Sequence, residues 1–370
     1  MDLRKAFRDK NCFITGIAGF KGSWLAKLLY ELGANVSGMD SDVDKGDSVF
    51  NQLDIQKIAR VHHEDTRRIY SGRCIRDIKN ADYIFHFAAQ AIVGEGYKDP
   101  RYTFDSNIMG TVSLLEMIKS TSKPVTLLSV ASDRVYAPTE DGHYHIESDH
   151  LGGCTDPYSV SKVVQNQIID SYRALPNISD KVTLINARTS NVIGGGDPNV
   201  SRLVPSIEIA YKEGKPVELR NPSFTRQYIY VLDCLCSYLY LVAKGTQTEY
   251  NIGAGNSTIC TVQELVDACK ECLPGLESVN TGQSFGFEGS ALAVNTDRFH
   301  NEFTEVKKHI AEDITEIINR TVKYDLSDSK EELANSLVEE AISIYSVWYR
   351  LDAPESSLIV FYTKVDIFIV

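Results

Sequence analysis

The chain has 370 residues, with 38 Lys and Arg set against 50 Asp and Glu, a formal net charge of −12 and 43% hydrophobic residues. That length supports one large domain or two closely joined ones and excludes a small stapled scaffold. The acidic balance excludes broad electrostatic capture of nucleic acid or an anionic membrane, so neither is expected as a partner, and an anionic ligand requires a local cationic pocket. The opening segment MDLRKAFRDKNCFITG is basic but lacks an apolar run followed by a small-residue cleavage site. No segment reaches the roughly 18 apolar residues of a membrane span. A cytoplasmic protein is expected.

In the first half, short apolar runs (NCFIT, ANVSGM, DYIFHFAA, VTLLSV) alternate with longer helical patterns such as GSWLAKLLYELG and SNIMGTVSLLEMIKS. This alternation predicts βαβ units, and hence an α/β, doubly wound parallel sheet of the Rossmann type over residues 9–188. Between the first run and the first helix stands Thr15-Gly16-Ile17-Ala18-Gly19-Phe20-Lys21-Gly22. Gly16, Gly19 and Gly22, with Phe20 among them, suit a turn whose backbone approaches a pyrophosphate at a helix N-terminus. The second run ends in Asp40, 18 positions beyond Gly22. A carboxylate there accepts the ribose hydroxyls of NAD and repels a 2′-phosphate, so NAD is favoured over NADP. Three further features agree with a dinucleotide in this crevice: Asp65 after a short extended segment, the turn Ala88-Ala89-Gln90, and Asn107 opening the next helix. Asp65 serves equally well as a loop acid or helix cap.

The run VTLLSV leads into Ala131-Ser132-Asp133-Arg134-Val135-Tyr136, at the sheet edge where α/β proteins bind ligands. Tyr158-Ser159-Val160-Ser161-Lys162 follows Asp156-Pro157 and begins a helical pattern, which sets Tyr158 and Lys162 on one face. A nearby ammonium and a nicotinamide cation both favour the phenolate, making Tyr158 a usable base, with Ser132 placed to hydrogen-bond the reacting hydroxyl. Beyond Arg188 the pattern turns irregular. Residues 189–325 are expected to form a smaller, interleaved C-terminal substrate-binding domain, with 227–252 rejoining the sheet domain and RQYIYVLD extended. Residues 326–370 form a tail that closes on the apolar run SSLIVFYTKVDIFIV, either an edge strand, a subunit contact or a segment unrelated to the core. The eight cysteines do not form a disulfide framework. The Cys269/Cys272 pair lies in a helical pattern and lacks a second ligand pair, so no metal is expected.

The glycine loop, HFAAQ, the Ser132-Asp133 pair, YSVSK and ARTSNVIGGGD together resemble the extended short-chain dehydrogenase/reductase family, specifically its NAD-dependent epimerases and dehydratases. GFKGSWLAKLL, ASDRVY, NVIGGGD, SRLVP and RNPSFTRQYIYVLD are most similar to its CDP-glucose 4,6-dehydratase branch, over roughly residues 10 to 270. The resemblance implies a redox cycle on one bound nucleotide sugar, in which C4 is oxidised, water leaves across C5 and C6, and a 4-keto-6-deoxy product forms. Tyr158, Ser132 and Lys162 would oxidise C4, and Asp133 would protonate the departing C6 hydroxyl. Asn191, Arg202 and Arg226 match positions around the family's substrate site, and Gln90 is grouped with them. A homodimer pairing the helix that begins near Tyr158 is also implied.

Arg134 departs from the pattern, because related dehydratases carry glutamate or lysine there. A guanidinium cannot act as general base at C5. Another group takes that proton, or Arg134 only stabilises the enolate, or dehydration has been lost. Ala131, where that branch usually has a hydroxyl residue, adds to the departure. The competing functions are an epimerase or ketoreductase of the same family, and a non-catalytic nucleotide-binding homologue.

Overall fold

A computed structural model describes residues 1–346 except 44–45, 120, 138–141, 153, 177–179 and 283–288; the apolar C-terminal run lies outside the described residues. The strands β1 (Asn11–Thr15), β2 (Asn35–Asp40), β3 (Arg60–His63), β4 (Tyr83–His86), β5 (Val125–Ser132) and β6 (Val182–Thr189) are parallel. With a later strand, β10 (Glu249–Ile252), they make a seven-stranded sheet in the order β10-β6-β5-β4-β1-β2-β3. The order reverses between β1 and β4, which opens a crevice at the carboxyl ends of the strands.

The period-2 geometry of the strands sorts their side chains onto two cores. Ile14, Phe85, Leu128 and Ile185 face one layer with Leu25, Leu28, Tyr238 and Leu239. Phe13, Ile84, Leu127 and Leu184 face the other with Ile78, Leu114, Ile118 and Ile169. Helices Phe20–Glu31 and Val231–Lys244 therefore cover one face, and Ile75–Asn80, Gly110–Ile118 and Pro157–Arg173 the opposite one.

The substrate side departs from the expected layout in one respect. RQYIYVLD is not extended throughout: β9 (Thr225–Tyr230) ends at Tyr230, and Val231 starts the helix Val231–Lys244. β9 pairs with β11 (Ile259–Thr261), β13 (Ala291–Leu292) and β7 (Asn191–Ile193) in a small separate sheet. Within 227–252, the central sheet thus gains β10 and its covering helix, but not β9. β8 (Val217–Leu219) and β12 (Ser278–Asn280) form a further two-stranded ribbon.

Both ends of the described chain dock on the helix Val231–Lys244. Asp233, wholly buried in its first turn, accepts from the backbone N–H of Ile310 (2.6 Å) and Ala311 (3.1 Å) and from the hydroxyl of Tyr345 (2.8 Å). Tyr345 ends the helix Lys330–Tyr345, whose Leu337, Val338 and Ile342 are buried in the first core. Residues 330–345 thus pack against the first core. At the other end Leu3 and Phe7, on a short helix that the sequence pattern did not reveal, are wholly buried.

Glu208 and Asp325 share a hydrogen bond where the helices Leu203–Lys212 and Ile314–Asp325 meet, and burial pushes both carboxyls up. Asp325 also accepts from Gly196 N at 2.7 Å. The folded state holds a proton here that the unfolded chain releases, so this pair stabilises the protein at acidic pH and loses that contribution as pH rises through the raised folded value. Thermal melts should show Tm falling between about pH 5 and about pH 9 more steeply for the native chain than for Glu208→Gln, whose amide keeps the hydrogen bond without titrating.

Candidate active site

The glycine turn joins β1 to the helix Phe20–Glu31. Gly16 adopts φ +75°, and a Cβ on Gly22 would fall 2.1 Å from the Gly16 carbonyl oxygen, so the helix can start this close only without side chains. Gly19 caps that helix with no side-chain hydrogen bond, leaving its first N–H groups for a ligand. Phe20 packs in the first core. Asp40, at the end of β2, accepts from Ala18 N at 3.1 Å and from Asp42 N at 3.1 Å. A dinucleotide fits this arrangement, with donors for its phosphates at the turn and a carboxylate for its ribose one strand away.

Asp65 is tied to Arg67, which donates to both of its carboxylate oxygens, and these bonds hold its pKa below the usual carboxylate range. It caps the turn Thr66–Ser71. Asn107 does not open a helix; it lies in a π-helical turn, Asp105–Met109, between the helices Pro100–Phe104 and Gly110–Ile118. From there its amide accepts from Gln90 N (2.7 Å) and donates to Gln90 O (3.0 Å) and Ser161 Oγ (2.8 Å). It thereby fixes the turn Ala88-Ala89-Gln90 against the helix that carries Tyr158. The side chain of Gln90 is held by Thr103 and by Ile92 N. Below it, His86 bridges Thr15 (2.7 Å) and Thr111 (2.9 Å), and burial, reinforced by Lys162, lowers its pKa to about 3.

At the end of β5, Ser132 donates to Asp133 Oδ1 at 2.9 Å. Asp133 is 2% exposed and its Oδ2 has no hydrogen-bond partner among the described residues; burial pushes the carboxyl up against the pull of Ser132, Arg134 and Arg226. Tyr158 is buried beside it: burial raises the phenol, while Arg202, the hydrogen bond with Ser132, and Arg134 pull it down. Lys162 donates to Val130 O (3.0 Å) and Gln165 Oε1 (2.8 Å), and burial, with Lys21 nearby, lowers its pKa to about 7. The structure thus gathers Ser132, Asp133, Tyr158 and Lys162 at one sheet edge.

Arg134 is held elsewhere. Its guanidinium donates to Ser159 Oγ (3.2 Å) and to the buried Asp156 (3.3 Å), the N-cap of the helix Pro157–Arg173. Arg202 pairs with Asp197 at 2.8 Å, and Arg226 donates to the carbonyls of Thr225 and Gly289. Both arginines act electrostatically on the centre, Arg202 on Tyr158 and Arg226 on Asp133. Asn191 donates to Gln227 O at the start of β7. His86, Asp156 and Lys21 join the site without a local sequence signal that marks them, although Lys21 stands inside the glycine run. All eight cysteines are free thiols, with Cys269 and Cys272 on the helix Val262–Cys272.

No helix among the described residues is long and apolar enough to cross a membrane. Residues 12–253 match the NAD dependent epimerase/dehydratase family. The chain is 34% identical over 274 residues to a CDP-glucose 4,6-dehydratase of Salmonella typhimurium, covering 70% of this chain and 76% of that one. It is 30% identical over 268 residues to a UDP-glucose 4-epimerase of Yersinia enterocolitica, covering 65% and 77%. The fold is shared with a dTDP-glucose 4,6-dehydratase of Bacillus anthracis solved in complex with NAD, at a TM-score of 0.71 and 23% identity over 89% of this chain and 99% of that one. With a family match over residues 12–253 and 34% identity to a curated relative covered over 76% of its length, the chain belongs to the NAD dependent epimerase/dehydratase family.

Proposed function

We propose that the protein is a nucleotide-sugar 4,6-dehydratase, a lyase that converts CDP-glucose to its 4-keto-6-deoxy derivative. One observation carries the reading: Asp133 presents a buried, unpartnered carboxyl oxygen beside Ser132 and Tyr158, with its pKa raised by burial. A carboxyl whose hold on its proton is strengthened by burial suits the release of a C6 hydroxyl as water, a step that an epimerase does not perform. The 34% identity to a CDP-glucose 4,6-dehydratase supports the choice of reaction and nucleotide.

In this reading Gly16, Gly19, Phe20 and Gly22 hold the NAD diphosphate through their backbone, Asp40 takes the ribose, and Asp65, Ala88, Ala89 and Asn107 shape the rest of the cofactor site. NAD, when bound, supplies the hydride acceptor and donor that make the cycle redox-neutral. Tyr158 takes the proton of the C4 hydroxyl, Ser132 orients that hydroxyl, and the Lys162 ammonium favours the phenolate. The C4 ketone acidifies the C5 proton, which passes to a group other than Arg134; the C5–C6 double bond forms as the C6–O bond breaks, and Asp133 protonates the departing C6 oxygen so that it leaves as water. Gln90, Asn191, Arg202 and Arg226 bind the substrate, the arginines suiting diphosphate oxygens. The working form is a cytoplasmic homodimer that pairs the helix Pro157–Arg173 of two subunits; light scattering showing a monomer at micromolar concentration would remove that element.

A second reading, an epimerase or ketoreductase on the same fold, is favoured by Arg134. Its guanidinium is tied to Asp156 and Ser159 and cannot take the C5 proton. Incubation with NAD and CDP-, dTDP-, GDP- and UDP-hexoses in heavy water, followed by mass spectrometry, separates the two. The dehydratase loses one water from CDP-glucose and gains one deuterium at C5, whereas an epimerase conserves mass. Tyr158→Phe should lower turnover by about 10²–10⁴-fold without weakening NAD in a fluorescence titration. Asp133→Asn should stop water loss yet leave C5 exchange with solvent, and retention of full water loss in that variant would overturn Asp133 as the acid.

A further inference from the structure

Lys21 is the second residue of the helix Phe20–Glu31. A lysine in a first helical turn sits at the positive end of the helix dipole, where cations are disfavoured. Its side chain is half-buried in the crevice, packed closely by protein yet reached by solvent, with Nζ 5.8 Å from the centre of the Phe87 ring. The groups that act on it electrostatically come from four separate elements. They are Cys234 at the start of the helix Val231–Lys244, Arg202 and Asp197 before the helix Leu203–Lys212, Asp133 after β5, and Lys162 on the helix Pro157–Arg173.

The charges around Lys21 do not cancel its own. Asp197 is taken by Arg202. Asp133 leans toward its neutral form through burial, and Cys234 is a buried thiol whose pKa is raised. Lys162 and Arg202 add like charge. Among the described residues the Lys21 ammonium has no hydrogen-bond acceptor and no ion-pair partner; the face of Phe87 is its one specific contact. Burial accordingly pushes its pKa down. An ammonium placed like this can meet an arriving anion without giving up a protein partner.

We infer that Lys21 binds a phosphoryl oxygen of a diphosphate lodged between the glycine turn and Arg202. The turn offers N–H donors, which need no side-chain charge, and Lys21 adds a cation on a flexible stem that can follow a non-bridging oxygen. Two molecules carry a diphosphate into this crevice, the dinucleotide and the nucleotide sugar; assignment to the second rests on the proposed dehydratase reading.

Lys21→Met and Lys21→Arg in the full chain test it, with thermal melts confirming that both fold and Lys21→Gln as a second neutral variant should the methionine protein fail to do so. NAD is titrated by protein fluorescence and CDP by calorimetry. Loss of a charge-assisted hydrogen bond should weaken one of them on the order of 10- to 100-fold, with Lys21→Arg restoring most of it. A loss confined to NAD assigns the cofactor diphosphate, and a loss confined to CDP assigns the substrate diphosphate. Unchanged affinity for both in a folded neutral variant overturns the inference. A native protein that binds NAD and CDP but releases no water from CDP-glucose would defeat the dehydratase reading and leave this binding result intact.

Discussion

A lysine ammonium under the edge of a parallel sheet must have its protons accepted by protein atoms, and much of this site follows from how Lys162 meets that requirement. Two of its protons go to Val130 O on β5 and to Gln165 on its own helix, and Gln165 in turn donates to Ser129. These bonds fasten the helix Pro157–Arg173 to the strand that ends in Ser132 and leads into Asp133. Because buried polar groups left unpaired are costly, the helix has little freedom to rotate or slide. Tyr158, one turn earlier on the same face, is thereby delivered to Ser132. Asn107 secures the same helix from the other side through Ser161, and Asp156 caps it while holding Arg134.

The charge of the site is the reverse of the charge of the chain. A protein with a formal net charge of −12 brings Lys21, Lys162, Arg202 and Arg226 to one sheet edge, where Arg226 acts on the buried Asp133 carboxyl and Arg202 on Tyr158. Such a pocket concentrates field where water is scarce, which favours a phosphate-bearing ligand and an anionic transition state over neutral competitors. The acidic exterior does little to attract that ligand, so selection falls to the pocket itself.

The cofactor helix is also a joint between the two halves. Trp24, wholly buried, donates to Gly195 O at 3.0 Å, and its ring lies 5.2 Å from that of Tyr324. Gly195 has no room for a side chain, since a Cβ there would fall 2.3 Å from the ring of Tyr324. The run NVIGGGD is therefore glycine-rich for packing reasons as well as for its turn at Gly196. Asp197 and Arg202 follow directly, so the loop that presents them is registered to the glycine turn through Trp24.

The sequence alone determined the features that local chemistry dictates: the alternation of strands and helices, the glycine turn, Asp40, and the placement of Tyr158 and Lys162 four residues apart on one helix. Each depends on neighbours within a few positions, through side-chain periodicity, the need for a Cβ-free turn, or the pitch of a helix. What the tertiary structure decided depends on groups far apart in the chain. Arg134 is drawn back to Asp156, β9 lies apart from the central sheet, the final helix docks through Asp233, and Lys21 has no acceptor in the crevice among the described residues. Those outcomes are competitions for hydrogen bonds and burial among distant segments, and no window along a single chain contains both competitors.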